Sequence, residues 1–516
     1  WRIWIIYKIG DIVEGLFKGK ESVNKDRKQE ENKKFIIYKK DIITFVIIFI
    51  IACITLIGFF PMHYATDTYN IINIGYEEYM MNNSLKDGRI IANLFNMPIE
   101  IWIPILLVLA VIISCISVII LKNIILSYKP AKNKWVEIIV LLISYCTIFN
   151  FMYLENLYFA ECAVMALSIL AYMLSARNVV KKNYAKAIFW AILGVVSYQG
   201  NIGVIAVMTV LFTFLENTGN KKFVQNIILD IIKTVVIMLL AAVTNFIVIK
   251  IICALTGMTG DRTQSISGII NNLKYIYYNY TRVIENTGGM LKSGEFIVLL
   301  SIVSMSAIIL FISKSKEPAE NLLELIWIIV VAIAVSFISS AMSLSGFNSA
   351  RIRFTIGMLI GVIFIFMYCK SKLFEKTQVF EIVFSFLVIL YVLINMYTYF
   401  SITVQHKNTN EFEKIEANKI ENVIEEYENE NNIVVDKICI IKKSQNNYKL
   451  ESLKNSCVLT YIATRCEWGI KGALQYYEGR KLTQTDIKYL ENQEFKLSGK
   501  QYKCIGNTLY INVSVY

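Results

Sequence analysis

The chain has 516 residues, of which 56% are hydrophobic and 18% charged, and it carries a formal net charge of +12. This composition excludes an ordinary soluble protein, because soluble domains are about 45–50% apolar and about 25% charged. The lysines and arginines lie between the apolar runs and form no aromatic-rich basic patch, which argues against a nucleic-acid partner. A lipid bilayer is therefore the expected surroundings of the chain.

The segment 1–41 is predicted to be a cytoplasmic tail that begins with a helix lying in the membrane interface. Apolar residues among its first 17 positions recur on one helical stripe: Trp1, Ile5, Ile9, Ile12 and Leu16. The first long apolar run begins only near Ile42 and lacks a small-residue cleavage site, so it indicates a membrane span and not a cleaved signal peptide. Because the sequence starts at Trp1, we expect an incomplete or processed N-terminus.

The segment 42–404 is predicted to be an all-α polytopic membrane domain. Helices of about 20 apolar residues cross a hydrocarbon core of roughly 30 Å, and runs near this length recur throughout the segment. They predict eleven spans at 42–60, 99–121, 135–152, 158–176, 187–198, 202–216, 234–255, 296–313, 325–345, 354–369 and 378–401. The short alternating segments that are typical of a membrane barrel are absent from the sequence.

The distribution of basic residues predicts the orientation of the chain in the cytoplasmic membrane. The five even-numbered connections hold 16 basic residues in 60 positions, whereas the five odd-numbered connections hold 8 in 94. Basic residues are enriched in cytoplasmic loops, so the N-terminus is expected inside and the C-terminus outside. Two of the outside loops, 61–98 and 256–295, are long enough to be functional or structured.

The segment 405–516 is predicted to be a small extracytoplasmic α/β domain. A helical pattern at 407–432 precedes three strand-like segments, 433–441, 456–463 and 501–515, the last with a Gly506-Asn507 turn. Four of the ten cysteines fall in this domain: Cys439, Cys457, Cys466 and Cys504. Because the domain is expected in an oxidising compartment, one or two disulfides are predicted there, with the pairing left open.

Asp67 is the candidate catalytic residue. It follows the first span by a few residues, at the level where a lipid-borne substrate would present its head group. A carboxylate at that depth can act as general base toward an acceptor hydroxyl. The alternative interpretation is an Asp that caps the helix beginning at this point.

Arginines of the outside loops are the candidate phosphate ligands, because a guanidinium holds phosphate oxygens in a bidentate manner. Arg89 follows Asp87 and Gly88, a pair that by itself predicts a turn, and Arg351 and Arg353 lie between the ninth and tenth spans. Snorkelling to the interface is the alternative for each arginine. Their position near a span end on the outside opposes the charge bias, which favours anion binding by at least one of them.

Six further polar residues of the outside loops are candidate substrate ligands: Asp87, Glu155, Glu161, Tyr198, Gln199 and Arg262. A charged group within the membrane costs about 2.5–3.5 kcal/mol, so Glu161 is expected to face protein or water. Tyr198 and Gln199 can bond sugar hydroxyls, and Arg262 lies near tyrosines that can stack on a sugar or prenyl chain. Interfacial anchoring is the alternative for the aromatic residues.

No cofactor is predicted. Only two histidines, His63 and His406, occur, and no CxxC pair offers zinc spacing, while the sequence supports no divalent metal site. Neither a GxxxxGK loop nor a GxGxxG fingerprint is present, which argues against a nucleotide-bound donor.

The first outside loop and later turns together resemble the serotype-converting glucosyltransferase II family of polytopic, GT-C type enzymes. The resemblance rests on Asp67, Gly75-Tyr76, Asp87-Gly88-Arg89, Glu155, Ser197-Tyr198-Gln199 and the arginines of 351–353, in that order, over about 40–400. It departs from the family at Thr66-Asp67-Thr68, which supplies one carboxylate where the family has an acidic pair, so metal binding there is in doubt.

This resemblance implies transfer of a hexose, usually glucose, from a polyprenyl-phosphate carrier to a cell-surface glycan outside the cytoplasmic membrane. Asp67 inherits the role of base, and the loop arginines inherit that of holding the departing phosphate. A surface-polysaccharide polymerase and a transporter or flippase of lipid-linked sugars are the alternatives. Transporters tend to show internal repeats and helices interrupted by proline, but we find no repeat and only Pro104 lies within a predicted span.

Overall fold

The computed structural model describes most of the chain. It covers 39–60, 63–95, 104–216, 223–257, 266–278, 289–291, 298–299, 301–305, 308, 318–342, 349–370, 378–442, 458–489 and 501–513. The predicted interfacial helix at 1–17, Arg262 and Cys457 lie outside these residues, and so does most of the predicted eighth span.

Helices dominate the described residues. They are α1 Lys39–Thr55, α2 Thr66–Ile74, α3 Tyr76–Asn83, α4 Ile90–Phe95, α5 Ile105–Tyr128, α6 Lys134–Ile148, α7 Tyr153–Tyr158, α8 Cys162–Val180, α9 Tyr184–Ser197, α10 Gly203–Glu216, α11 Phe223–Thr256, α12 Ile266–Tyr278, α13 Pro318–Met342, α14 Phe354–Lys370, α15 Gln378–Asn431 and α16 Ile470–Glu478. The strands are β1 Lys437–Lys442, β2 Thr483–Tyr489, β3 Tyr502–Ile505 and β4 Thr508–Asn512.

Seven helices of the described chain are long and apolar enough to cross a membrane: α5, α8, α10 with the turn before it, α11, α13, α14 and α15. The apolar helices α1 and α9 are shorter. Helices α11 and α13 expose large apolar side chains such as Leu239, Phe246 and Trp327, whereas α14 is mostly buried. Apolar side chains exposed along a whole helix are expected where the solvent is lipid. The chain is thus a helical membrane protein, and the count of eleven spans stays a prediction.

Ion pairs hold the helices together at one end of the bundle. The Lys122 ammonium donates to Asp41 over 2.7 Å, and both side chains are almost completely buried. Lys370 lies 2.9 Å from Glu324, and Lys132 pairs with Glu381. Charges buried this deeply persist only when they are paired. The ends of α1, α5, α13, α14 and α15 therefore meet at one level, which we term the basic end.

The opposite end of the bundle, which we term the domain end, carries the first loop and the C-terminal domain. Helix α15 runs from the basic end to the C-terminal domain, because it continues unbroken for 54 residues, or about 80 Å at 1.5 Å per residue. The predicted span 378–401 and the predicted helix 407–432 are therefore one helix, and the predicted boundary between 404 and 405 falls inside it.

The C-terminal domain is a four-stranded sheet with strand order β2-β1-β4-β3 packed against the end of α15. Strand β1 is parallel to β2 and β4, while β3 and β4 form an antiparallel hairpin around Gly506 and Asn507, as predicted. Strand β2 was not predicted. The strand predicted at 456–463 is wrong in most of its described part, because residues 458–460 and 463 belong to the 3₁₀ turns Val458–Thr460 and Ala463–Arg465. Tyr461 between them makes a β-bridge.

The predicted disulfides are not formed by the three described cysteines of the domain. Cys439, Cys466 and Cys504 are buried free thiols. Cys439 pairs in register with Tyr510, whereas Cys504 pairs with Leu509, so the two thiols lie on opposite faces of the sheet with β4 between them. Backbones that lie two strands apart in a sheet are separated by about 9.5 Å, well beyond the Cα separation of roughly 4.4–6.8 Å that a disulfide needs.

Helix α16 of the C-terminal domain crosses α2 of the first loop at very short range. A Cβ atom added at Gly472 would lie 1.8 Å from the carbonyl oxygen of Tyr69, so only glycine permits this approach. The Gln475 side-chain amide donates to the carbonyl of Ile72 over 3.2 Å in the same crossing. The first loop and the domain are thus packed backbone against backbone.

Replacing Gly472 with leucine is predicted to separate α16 from α2. The new side chain would meet rigid backbone, so the cost is expected at or above the usual 1–3 kcal/mol for overpacking. Hydrogen–deuterium exchange of the purified protein should rise in both helices. The control Lys471→Leu puts the same side chain at the adjacent, partly exposed position. Unchanged exchange in Gly472→Leu would contradict the described crossing.

Candidate functional site

A cavity of about 260 Å³ opens at the domain end of the bundle. The described residues that line it are Asp67, Asn70, Tyr79, Arg89, Phe159, Glu161, Met165, Tyr198, Arg351 and Trp468. Five of the sequence-predicted site residues belong to this set, although they lie on four different connections of the chain. The cavity therefore gathers carboxylates, guanidinium groups and aromatic rings in one small space.

Asp67 lies in the first turn of α2. Ala65 is the N-cap of this helix, and its backbone N–H donates to Thr68 Oγ1 over 3.2 Å, which fixes where the helix begins. Asp67 itself is therefore not the N-cap, and its half-buried side chain lines the cavity. The N-terminal end of a helix favours negative charge, and the carboxyl group of Asp67 lies at this end of α2.

Arg89 is held against the cavity wall by residues of two other connections. Its Nε donates to Gln199 Oε1 over 3.1 Å, and its guanidinium lies 5.1 Å from the centre of the Tyr198 ring. Its Nη1 lies 3.9 Å from Glu161 Oε2, while Ser84 donates to the other oxygen of Glu161 over 2.7 Å. These contacts fix the cation without covering it, because Arg89 still lines the cavity.

Arg351 is held by Glu155 and Phe159. Its backbone N–H donates to Glu155 Oε2 over 3.1 Å, its Nη1 lies 3.8 Å from Glu155 Oε1, and its guanidinium stacks 4.1 Å from the Phe159 ring centre. Burial raises the pKa of the Glu155 carboxyl, and Arg351 opposes this shift.

The remaining predicted residues lie behind the cavity or elsewhere. Glu155 supports Arg351 and Gln199 supports Arg89, but neither is among the described lining residues. Arg353 is buried, with its guanidinium 5.2 Å from the centre of the Phe337 ring, and it is also not among them. Asp87 ends a 3₁₀ turn that precedes Gly88, but the structure does not describe its side chain.

Sequence reasoning missed five lining residues: Asn70, Tyr79, Phe159, Met165 and Trp468. Asn70 lies three residues after Asp67, on the same helix face, so its position was predictable once α2 was assumed. Trp468 lies some four hundred residues away in the C-terminal domain. No local pattern connects it with the first loop, because the connection depends on how α16 packs against α2.

The chain matches no protein-family model, no curated protein and no solved structure. The chemistry of the site must therefore be inferred from its own residues. Two cations beside aromatic walls can hold a phosphate with an attached ring, and a half-buried carboxylate can accept a proton nearby. Among the described residues, no three His, Cys, Asp or Glu side chains come close enough to hold a metal ion.

The two histidines of the chain lie next to each other beside the cavity wall. His63 stacks on Phe59 with ring centres 4.1 Å apart, and its ring centre lies 5.6 Å from that of His406 on α15. His63 Nε2 lies 3.0 Å from the carbonyl oxygen of Tyr158, and His406 Nδ1 lies 2.9 Å from that of Leu459. Burial lowers the pKa of His63 to about 4 and that of His406 to about 3, so both rings are neutral at pH 7.

Acidification is predicted to destabilise the protein through these two histidines. Between about pH 6.5 and pH 4 the histidines of the unfolded chain bind protons, whereas the two buried histidines of the folded protein stay neutral. The free energy of unfolding therefore decreases as the pH falls through this window. The melting temperature should drop more steeply over this window in the wild type than in the variant His63→Gln/His406→Gln. Comparing the two proteins cancels the other titrating groups, and parallel profiles would contradict the burial of a neutral pair.

Proposed function

We propose that the protein is a membrane glycosyltransferase that moves a hexose from a polyprenyl-phosphate carrier to a cell-surface glycan. The observation that carries the proposal is that Asp67, Arg89 and Arg351 line one small cavity at the domain end. This combination supplies a base and two phosphate-binding cations within one cavity. The resemblance to the glucosyltransferase II family makes glucose the first hexose to test.

The proposal includes the topology expected for a GT-C type enzyme of the cytoplasmic membrane. Eleven spans would place the N-terminus inside, and the domain end would face outward. The lysines of the basic end, such as Lys122 and Lys370, support this orientation because basic residues are enriched on the cytoplasmic side. An outward cavity near the ends of the spans would admit the lipid-linked donor from the membrane and the glycan from the water.

In the proposed reaction the carboxylate of Asp67 accepts the proton of an acceptor hydroxyl. The hydroxyl oxygen then forms a bond to the anomeric carbon of the hexose, while the bond from that carbon to the phosphate oxygen breaks. The electron pair leaves with the polyprenyl phosphate, whose growing negative charge is stabilised by Arg89 and Arg351. Such fixed cations act most strongly in a site with little water, where the surroundings screen them weakly.

The size of the cavity supports a monosaccharide donor. Pockets for drug-sized ligands measure roughly 300–1,000 Å³, so about 260 Å³ suits one sugar ring better than an oligosaccharide repeat. A polymerase would join whole repeat units. Glycan analysis of a deletion strain separates the two activities, since loss of a side-branch hexose supports the transferase and shortened chains support the polymerase.

Asp67→Asn is predicted to abolish hexose transfer from a purified polyprenyl-phosphate hexose without unfolding the protein. Loss of a general base typically costs a factor of about 10²–10⁴ in rate. The control Asp486→Asn makes the same change at an exposed position on β2 and should leave the rate unchanged. A fully active Asp67→Asn enzyme would remove this residue from the mechanism.

Arg89→Gln and Arg351→Gln are each predicted to weaken the binding of polyprenyl phosphate by tenfold or more. A hydrogen bond to a charged group contributes about 1.5–3 kcal/mol, and about 1.4 kcal/mol corresponds to tenfold. Arg177→Gln removes the same charge near the far end of α8 and serves as the control. Affinities are measured on protein in lipid nanodiscs, and wild-type affinity in both variants would contradict the assignment of the phosphate ligands.

A further inference from the structure

The C-terminal domain contributes one wall of the cavity. Of the ten described residues that line it, nine belong to the membrane bundle and its connections, and Trp468 alone comes from the domain. Trp468 precedes α16 and follows the 3₁₀ turn Ala463–Arg465, so its position depends on where α16 lies. Trp468 is half-buried, whereas the apolar residues of the domain's core are buried.

The position of Trp468 is fixed by an extensive contact between the domain and the first loop. Beyond the close crossing at Gly472, the Tyr64 hydroxyl donates to the hydroxyl of Tyr476 over 2.5 Å. The hydroxyl groups of Tyr69 and Tyr477 lie 2.7 Å apart. Aromatic side chains and paired hydroxyl groups therefore join the first loop to α16.

A buried carboxylate on α15 completes this contact. Glu413 accepts hydrogen bonds from the Tyr69 hydroxyl over 2.8 Å, from the backbone N–H of Ala463 over 2.6 Å and from the Asn410 amide over 2.8 Å. The Glu413 side chain thereby joins α15, the first loop and the 3₁₀ turn before Trp468. Buried groups with all their partners satisfied rigidify the surrounding structure, and Glu413 has three such partners.

Helix α2 links this contact to the candidate base. It presents Asp67 and Asn70 to the cavity and Tyr69 to the domain, so the docked domain holds Trp468 in a set relation to Asp67. Such precise docking is unnecessary for a domain that only shields the membrane surface. It is expected for a domain that places a side chain against a substrate.

We propose that Trp468 stacks on the hexose of the lipid-linked donor, so that the C-terminal domain is part of the sugar-binding site. The inference rests on the proposed function, which assigns the phosphate to Arg89 and Arg351. In a cavity that fits one ring, the ring next to that phosphate is the hexose of the donor. The C–H face of a sugar ring packs well on an indole, which offers a large flat apolar surface.

The test compares two lipid probes on the full-length protein in nanodiscs. One probe is polyprenyl phosphate bearing glucose, with galactose and mannose versions beside it, and the other is polyprenyl phosphate without a sugar. Trp468→Leu should weaken binding of the preferred sugar-bearing probe on the order of tenfold and leave binding of the bare lipid phosphate unchanged. Trp468→Phe keeps an aromatic face and should retain most of the affinity.

The control Trp327→Leu removes an indole that is 54% exposed on the side of α13 and should change neither affinity. Equal weakening of both probes in Trp468→Leu would assign Trp468 a purely structural role and overturn the inference. So would an undiminished preference for the sugar-bearing probe in that variant, although the proposed function would then stand. If the wild type shows neither a preference for a sugar-bearing probe nor any hexose transfer, the proposed function fails as well.

Discussion

The contact between α2 and α16 is the constraint on which the candidate site depends. Helix α2 is short and lies in a loop, so it depends on packing against another element for its stability and position. Gly472 lets α16 approach the backbone of α2. The hydrogen bond from Tyr69 to Glu413 satisfies polar groups that this approach buries. The cavity that contains Asp67 is consequently formed jointly by the bundle and the C-terminal domain.

A second constraint is the cost of charges next to an apolar bundle. Each cavity arginine is held by a carboxylate on another connection, Arg89 by Glu161 and Arg351 by Glu155. These pairs lower the cost of burial and also orient the guanidinium groups. The ion-pair distances of 3.9 Å and 3.8 Å are long, so an incoming phosphate can compete with these two carboxylates for the same cations.

Hydropathy predicted most of the bundle, because a long apolar run has few alternatives to a helix in lipid. Alternation of the connections also predicted that Asp67, Arg89 and Arg351 lie at one end, although not that they share a cavity. Hydropathy alone indicated that α15 ends with the bundle, because the composition changes there from apolar to polar. No proline or glycine interrupts 378–431, and the helix continues into the C-terminal domain. Trp468 was unpredictable for a different reason, namely that its position is set by a distant helix crossing.

The central claim is that one cavity binds a lipid-linked sugar with its phosphate between two arginines and its anomeric carbon facing a carboxylate. The most direct measurement is a cryo-electron microscopy map of the protein in nanodiscs with a polyprenyl-phosphate hexose bound. The account predicts the phosphate between Arg89 and Arg351, the ring against Trp468 and the anomeric carbon toward Asp67. A lipid bound at another place, or a sugar that turns away from Asp67, would contradict it.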